Sequence, residues 1–354
     1  MKVNGEMVAL AREFRELTQQ ALAAELGVGQ STIAKLEASL RNDLEESLIQ
    51  RLAVILGFPV SFFSQNEELL SFGSSSYFYR KRASLTAADR KRIHSVVNLQ
   101  RIALRQMLRH VEIEPRRKLP QFDLEEYGQN AARVAQALRA FWVMPDGPVR
   151  DLTELVEGAG VIVIRCRFDS RKFDATSLRL TDMPPMVFMN ADLPGDRWRF
   201  TLAHELGHLV MHTVPHESME DEADSFAAEF LCPEETIKPQ LMQVARWRAR
   251  DIAQLKLYWR VSLHMLVKRA NDLHVIDAQQ AKSAYIALAP VRQQEPIPIA
   301  QEATKSLPKI VAALVDDLDF KEEGLASTVH WLTDLIGELL PFSQKPESRL
   351  RLVQ

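Results

Sequence analysis

Apolar residues at the start of the chain recur at helical spacing. Met7, Leu10, Ala11 and Phe14 keep one face, and Thr18 is placed to cap a helix over Gln19 to Leu26. Gly27-Val-Gly29 makes a turn, and a further helix over Gln30 to Ala38 turns Ile33 and Leu36 inward. Leu48 to Phe63 closes this packet. A longer helix capped near Thr86 carries Ile93, Val96, Val97, Ile102 and Leu104 on one side and arginines on the other. Residues 125 to 142 turn Ala131, Val134, Ala135, Leu138 and Phe141 inward, and Val149 to Ala159 follows, stopped by Gly158 and Gly160. The pattern then changes to β-branched and alternating, which predicts strands over Val161 to Phe168, Ser177 to Leu180 and Met186 to Asn190. Helical spacing returns over Phe200 to His212, Glu217 to Pro233 and Ala253 to Ala270. It comes back around Ile310 to Leu318 and Thr328 to Leu340.

Small and proline-bearing stretches break this pattern into blocks. Ser71-Phe-Gly-Ser-Ser-Ser76 is expected to be a hinge, residues 115 to 122 a second boundary, and Pro290 to Pro298 a linker. With 354 residues the chain can hold two or three cores. A composition of 46% hydrophobic and 26% charged residues is that of an ordinary soluble protein. No apolar run is long enough to span a bilayer and no signal-peptide core opens the chain, so no membrane association is expected. Cys166 and Cys232 make no disulfide framework, and the reducing cytoplasm is the expected location.

Charge changes the picture in one place. Arg80 to Lys118 holds twelve Lys and Arg against three Asp and Glu, a basic stretch in a chain whose net charge is −3. Such a stretch reads as a solvated helical face or, more sharply, as a phosphate-contacting one. Residues 1 to 66 hold six Lys and Arg against eight Asp and Glu, so attraction of that packet for a nucleic-acid backbone is weak unless dimerisation or the basic stretch adds contacts.

The chemistry concentrates in His204-Glu205-Leu206-Gly207-His208. Two histidines four apart leave the same side of a helix and can grip one ion, with Glu205 one step round the face. A zinc site of this kind takes three protein ligands and keeps a fourth position open. The helix over Glu217 to Pro233 is the source of the third, for which Glu222 is expected, with Asp224 and Glu220 as alternatives. His212 falls four after His208, where it either joins the ligands or closes the helix C-terminus in favour with its dipole. Cys232, before Pro233, reads as a small buried residue.

Arg197 to His212 followed by Asp221-Glu-Ala-Asp-Ser-Phe-Ala-Ala-Glu-Phe-Leu-Cys-Pro233 resembles the ImmA/IrrE family of metallopeptidases. The resemblance implies that His204, His208 and Glu222 hold zinc and that Glu205 is the catalytic base. Cys232 stands where the family usually has Met, a difference of packing. Leu17 to Glu37, with Leu48 to Phe63, resembles the phage-repressor (XRE) class of helix-turn-helix. That resemblance implies a helix from Gln30 in the major groove, with Gln30, Ser31 and Lys35 facing base edges and Gln19 on a phosphate.

The fold class expected is therefore multidomain and mainly α. An all-α helix-turn-helix domain (1–66) is followed by a hinge and basic helical linker (67–122). An α+β zincin-like metallopeptidase domain with a small β-sheet (123–284) and a helical C-terminal region (285–354) complete the chain. The function expected is that of a regulatory zinc endopeptidase that binds DNA and cleaves a repressor or antitoxin-like protein in a stress or prophage response, with a sheet edge holding the substrate extended. Self-cleavage at Ser71 to Ser76 is a variant of it. The competing readings are a non-proteolytic transcriptional regulator whose metal domain senses a ligand or partner, and a peptidase whose helix-turn-helix docks protein. A homodimer would double the DNA contacts.

Overall fold

The structure is a computed structural model, and it describes residues 2–40, 44–70, 77–78, 85–170, 172–291, 295–317 and 322–339. The hinge expected at Ser71 to Ser76 lies outside the described residues.

Four helices open the chain: α1 (Gly5–Phe14), α2 (Gln19–Leu26), α3 (Gln30–Glu37) and α4 (Glu46–Leu56). Local chemistry sets their ends. The Thr18 side chain accepts from the Ala21 amide, and Gly27 takes a left-handed φ of 69° that ends α2 and turns the chain toward α3. Met7, Leu10, Phe14, Leu22, Ile33, Leu36 and Leu52 close the packet, each at most 2% exposed.

A long helix, α5 (Ala87–Met107), starts at a capping box between Thr86 and Asp89. Its apolar side is where the spacing put it. Its polar side is not a solvated face: Ser95, Asn98, Gln100, Arg101 and Gln106 are all buried. The helix lies between α1 on one side and the sheet and the C-terminal helices on the other. Arg90 and Lys91 are exposed, but three of its arginines are engaged within the molecule. Arg92 donates to the Phe14 carbonyl and to Asp169, Arg105 pairs with Asp182 at 3.0 Å and Glu67 at 3.5 Å, and Arg101 donates to the Glu68 carbonyl. Arg92 thus links α1 to the chain just after β2, and Arg105 links Glu67 to the turn between β3 and β4. Arg80 to Arg82 of the basic stretch lie outside the described residues.

That sheet has four strands in the order β1-β3-β4-β2, namely β1 (Tyr77–Phe78), β2 (Ile162–Cys166), β3 (Ala175–Leu180) and β4 (Met183–Asn190). β2 and β4 are parallel, β3 and β4 antiparallel. Alternation sorts the side chains. Ile162, Ile164, Met186 and Phe188 join the core around α5, while Val163, Ala175, Val187 and Met189 join the core on the opposite face. Both faces are covered, which is why β2 and β4 carry apolar side chains on both sides. β1 pairs antiparallel along β3, with Tyr77 opposite Leu178 and Phe78 opposite Ser177.

On the second face lie α6 (Ala131–Phe141), α7 (Leu152–Glu157), α8 (Gly195–Met211) and α9 (Met219–Leu231), followed by α10 (Glu234–Leu241), α11 (Ala249–Trp259), α12 (Leu263–Asp272) and α13 (Ala278–Leu288). The single helix expected over 125 to 142 is broken: 125–127 is a short 3-10 turn, and Asn130 caps α6.

The C-terminal region does not trail away. Residues 295–305 cross the start of α8, where a Cβ on Gly195 would overlap the backbone of Ile299 and Ala300. Glu302, 5% exposed, pairs with Arg199 of α8 and accepts from the Thr153 amide and hydroxyl. Then α14 (Ser306–Ala312), a π turn over Ala313–Asp317, α15 (Glu322–Val329) and α16 (Thr333–Leu339) return to α5. The helix expected over 328 to 340 is interrupted, with His330 at a φ of 55° between α15 and α16.

Candidate functional site

α8 and α9 pack along each other in a register that sets His204 beside Asp224 and His208 beside Glu220. Close approach is allowed because Gly207, between the two histidines, faces the Phe226 ring. His204 Nε2 and His208 Nε2 are 3.0 Å apart, and they lie 3.6 and 3.5 Å from the Glu220 carboxylate. Ligands of a tetrahedral zinc, each about 2.0–2.1 Å from the ion, stand about 3.3–3.4 Å from one another. The three groups therefore describe one face of such a tetrahedron.

Two further observations fit a cation. Among the described residues, both Glu220 oxygens are buried and without a hydrogen-bond partner, a costly state for a carboxylate unless positive charge faces it. His204 donates from Nδ1 to Asp224 at 2.8 Å, so Nε2 is the atom turned toward Glu220 and His208 and the one a metal would take in place of a proton.

The expected third ligand needs correcting. Glu222 does not join the pair; its carboxylate lies 2.9 Å from His212 Nε2 and 3.6 Å from His216 Nε2. Helical geometry gives the reason. Against the buried stripe of Ala223, Phe226, Ala227 and Phe230, Glu220 and Asp224 share one flank, four residues apart, and Glu222 falls on the other. The four-residue spacing of Glu220 and Asp224 was visible in the sequence, but which flank of α9 meets α8 was not.

Glu205 is 3% exposed, and the Ser177 hydroxyl of β3 donates to it at 2.6 Å. Burial, partly opposed by His204 and Ser177, pushes its carboxyl up to about 7. His204 is raised to about 9: burial lowers it, but Asp224, Glu220 and Glu205 outweigh burial. Glu220 is held below the usual carboxylate range, since burial is outweighed by the two histidines. His208 is lowered, by burial first and by its charged neighbour His204. Without metal the cluster thus keeps one positive charge among three carboxylates, in the space a cation would fill.

A cavity of about 140 Å³ opens onto this cluster between the start of β3 and α8, lined by Phe173, Asp174, Ala175, Arg197, His204 and Glu205 among others. Arg197 pairs with Asp174 at 2.7 Å in its wall. A larger depression of about 630 Å³ between α10 and α11, lined by Gln240, Val244, Arg246 and Leu255, lies away from the histidines.

Residues 156–271 match the IrrE N-terminal-like domain of a peptidase family. Ahead of this stretch, residues 8–63 match a helix-turn-helix family model. One chain thus joins a DNA-binding type of module to a metallopeptidase-like one, in that order. No curated protein matches the chain. The IrrE-like stretch runs from the end of α7 to the end of α12 and so contains the whole cluster. His212, at the C-terminus of α8, does not act on the helix dipole as a charge: burial and the neighbouring His208 depress it to about 4, so it is neutral near pH 7. Cys232 is fully buried with its thiol pushed up to about 12 by burial, in keeping with a packing role.

In the helix-turn-helix, Gln30, Ser31 and Lys35 lie exposed on α3. Gln30 donates to Gln19 at 3.2 Å, and Gln19 donates to Glu37, which Arg12 grips with two bonds at 2.6 and 2.8 Å. This network holds the two glutamines in one orientation before any contact with a partner. Among the described residues, no helix is long and apolar enough to cross a membrane.

Proposed function

We propose that the chain is a zinc-dependent regulatory endopeptidase that binds DNA through its helix-turn-helix. Its substrate would be a repressor or antitoxin-like protein of the cytoplasm, in a stress or prophage response. One observation carries the reading: two imidazole nitrogens and a buried carboxylate that makes no hydrogen bond among the described residues are spaced as zinc ligands, with a second carboxylate of raised affinity for protons beside them.

In this reading His204, His208 and Glu220 hold the metal, and Asp224 orients His204. Bound zinc supplies Lewis acidity toward the scissile carbonyl. Glu205 accepts the proton of the attacking water and delivers it to the departing amine, a task suited to a carboxyl titrating near 7. Ser177 fixes the rotamer of Glu205. An extended substrate would lie along β3, where its backbone pairs without regard to sequence, and it would take the place that Tyr77–Phe78 now holds. On the DNA side, Gln30, Ser31 and Lys35 would read base edges and Gln19 a phosphate.

A second reading is a regulator that senses a ligand or partner and cleaves nothing. It is favoured by the occupied edge of β3 and by the ties of Arg92 and Arg105 between the helix-turn-helix and the sheet. Glu205→Gln separates the two. Cells carrying that variant are expected to accumulate an intact protein that wild-type cells cleave, while the purified variant retains its zinc. A variant that keeps its full cellular effect establishes the sensor instead.

A further inference from the structure

Beyond the groups this reading uses, three side chains lie on the far side of His208: His212, Glu222 and His216. His208 and His212 face each other through their Nδ1 atoms at 2.8 Å, and both are nearly or fully buried. His212 Nε2 lies 2.9 Å from Glu222, and His216 approaches the same carboxylate at 3.6 Å.

Proton placement decides what this chain of groups can do. A neutral imidazole carries one N–H and one lone pair. To ligate through Nε2, His208 must keep its proton on Nδ1, where it donates to His212 Nδ1. His212 then carries its own proton on Nε2 and donates it to Glu222. Every donor meets an acceptor. The opposite arrangement fails: if Nε2 of His212 took a second cation together with Glu222 and His216, its proton would sit on Nδ1. With both rings ligating through Nε2, two N–H groups would point at each other across 2.8 Å, unless one ring lost its proton entirely.

We propose that Glu222 and His212 form a relay that fixes His208 as the Nδ1–H tautomer and so turns its Nε2 lone pair toward the metal, while His216 is dispensable. His212 and Glu222 are positioning residues, acting through His208. The proposal rests on the metal site proposed above, and it goes further by assigning roles to two residues outside that site. It also gives α9 a double part. One flank supplies Glu220 and Asp224, and the other supplies Glu222, so each motif histidine is oriented by a carboxylate of the same helix.

The test is zinc stoichiometry and affinity of the full-length purified chain, by competition with a chromophoric chelator. Wild type is expected to bind one zinc. His212→Ala and Glu222→Ala are expected to weaken zinc about ten- to a hundred-fold, and His216→Ala to leave it within two-fold. Glu222→Gln keeps an acceptor for His212 and is expected to recover most of the loss. Because Glu222 lies on a partly exposed flank, its two variants serve if His212→Ala fails to fold. Cobalt substitution adds a signature that loss of packing alone would not give: a slowly exchanging, hyperfine-shifted N–H proton from His208, absent in His212→Ala. Two zinc ions per chain with one lost in His216→Ala, or unchanged affinity in both His212→Ala and Glu222→Ala, overturns the relay. A wild-type chain that binds no zinc removes the metal site itself, and the relay with it.

Discussion

Gly207 shows how one missing methyl sets the geometry of the centre. A Cβ there would lie 3.0 Å from Phe226 Cδ1 and 3.2 Å from Cγ, so α9 could not come as close to α8. In Gly207→Ala, a gain in helix propensity of about 1 kcal/mol works against an overpacking cost of roughly 1–3 kcal/mol. Thermal denaturation of the metal-free variant is therefore expected to change little or fall by a few degrees. Zinc affinity is expected to fall more steeply, because the shift moves Glu220 and Asp224 together away from the histidines. Equal loss of both quantities would mean that the glycine serves packing alone. Which acid meets which histidine was legible in part. The spacing of His204 and His208 needs only one helix, whereas the choice of Glu220 over Glu222 depends on how a second helix is rotated against the first.

Elements that look peripheral in the sequence hold the centre in place. The segment after α13 reads as a linker, yet it carries Glu302 into a buried pocket beside Arg199 and Thr153, at the N-terminal half of the helix that bears both histidines. Removing one partner of a buried ion pair leaves the other uncompensated, so Glu302→Ala is expected to cost roughly 3–5 kcal/mol in chemical denaturation. Glu302→Gln should cost less, since it still accepts from Thr153. Lys256 makes a second such tie, pairing with Asp196 of α8 and with Glu295 at 2.7 Å. Prolines, polar residues and the absence of periodicity announced an irregular segment correctly. They carried no information on where it runs, because a buried Glu and a solvated Glu are written alike.

Across the whole molecule, several arginines of the basic stretch are engaged in ties between distant parts of the chain. Glu67, 6% exposed, lies 3.5 to 4.0 Å from Arg101, Arg105 and Arg109, and Arg105 continues to Asp182 in the turn between β3 and β4. Arginines held in this way release few counterions on meeting DNA. In DNA binding, Lys35→Ala is expected to cost about 1–3 kcal/mol and to relax the preference at the base it faces, whereas Arg105→Gln is expected to leave the slope of log affinity against log salt unchanged. A slope reduced by about one in Arg105→Gln would place the basic helix on the phosphates after all.

The sequence by itself determined what is local: most of the helical stretches and the strands β2, β3 and β4, the caps at Thr18 and Thr86, the pair of histidines with Glu205 between them, and the turn that shapes the helix-turn-helix. Each depends on residues within a few positions of one another, where periodicity and backbone preference act directly. Only the tertiary structure decided the third acid at the centre, the burial of Arg101 and the ion pairs of Arg92 and Arg105 on α5, the return of the C-terminal segment across α8 and the strand lying along β3. Those depend on how distant elements are rotated and stacked, and burial there reverses what a charged or polar residue does.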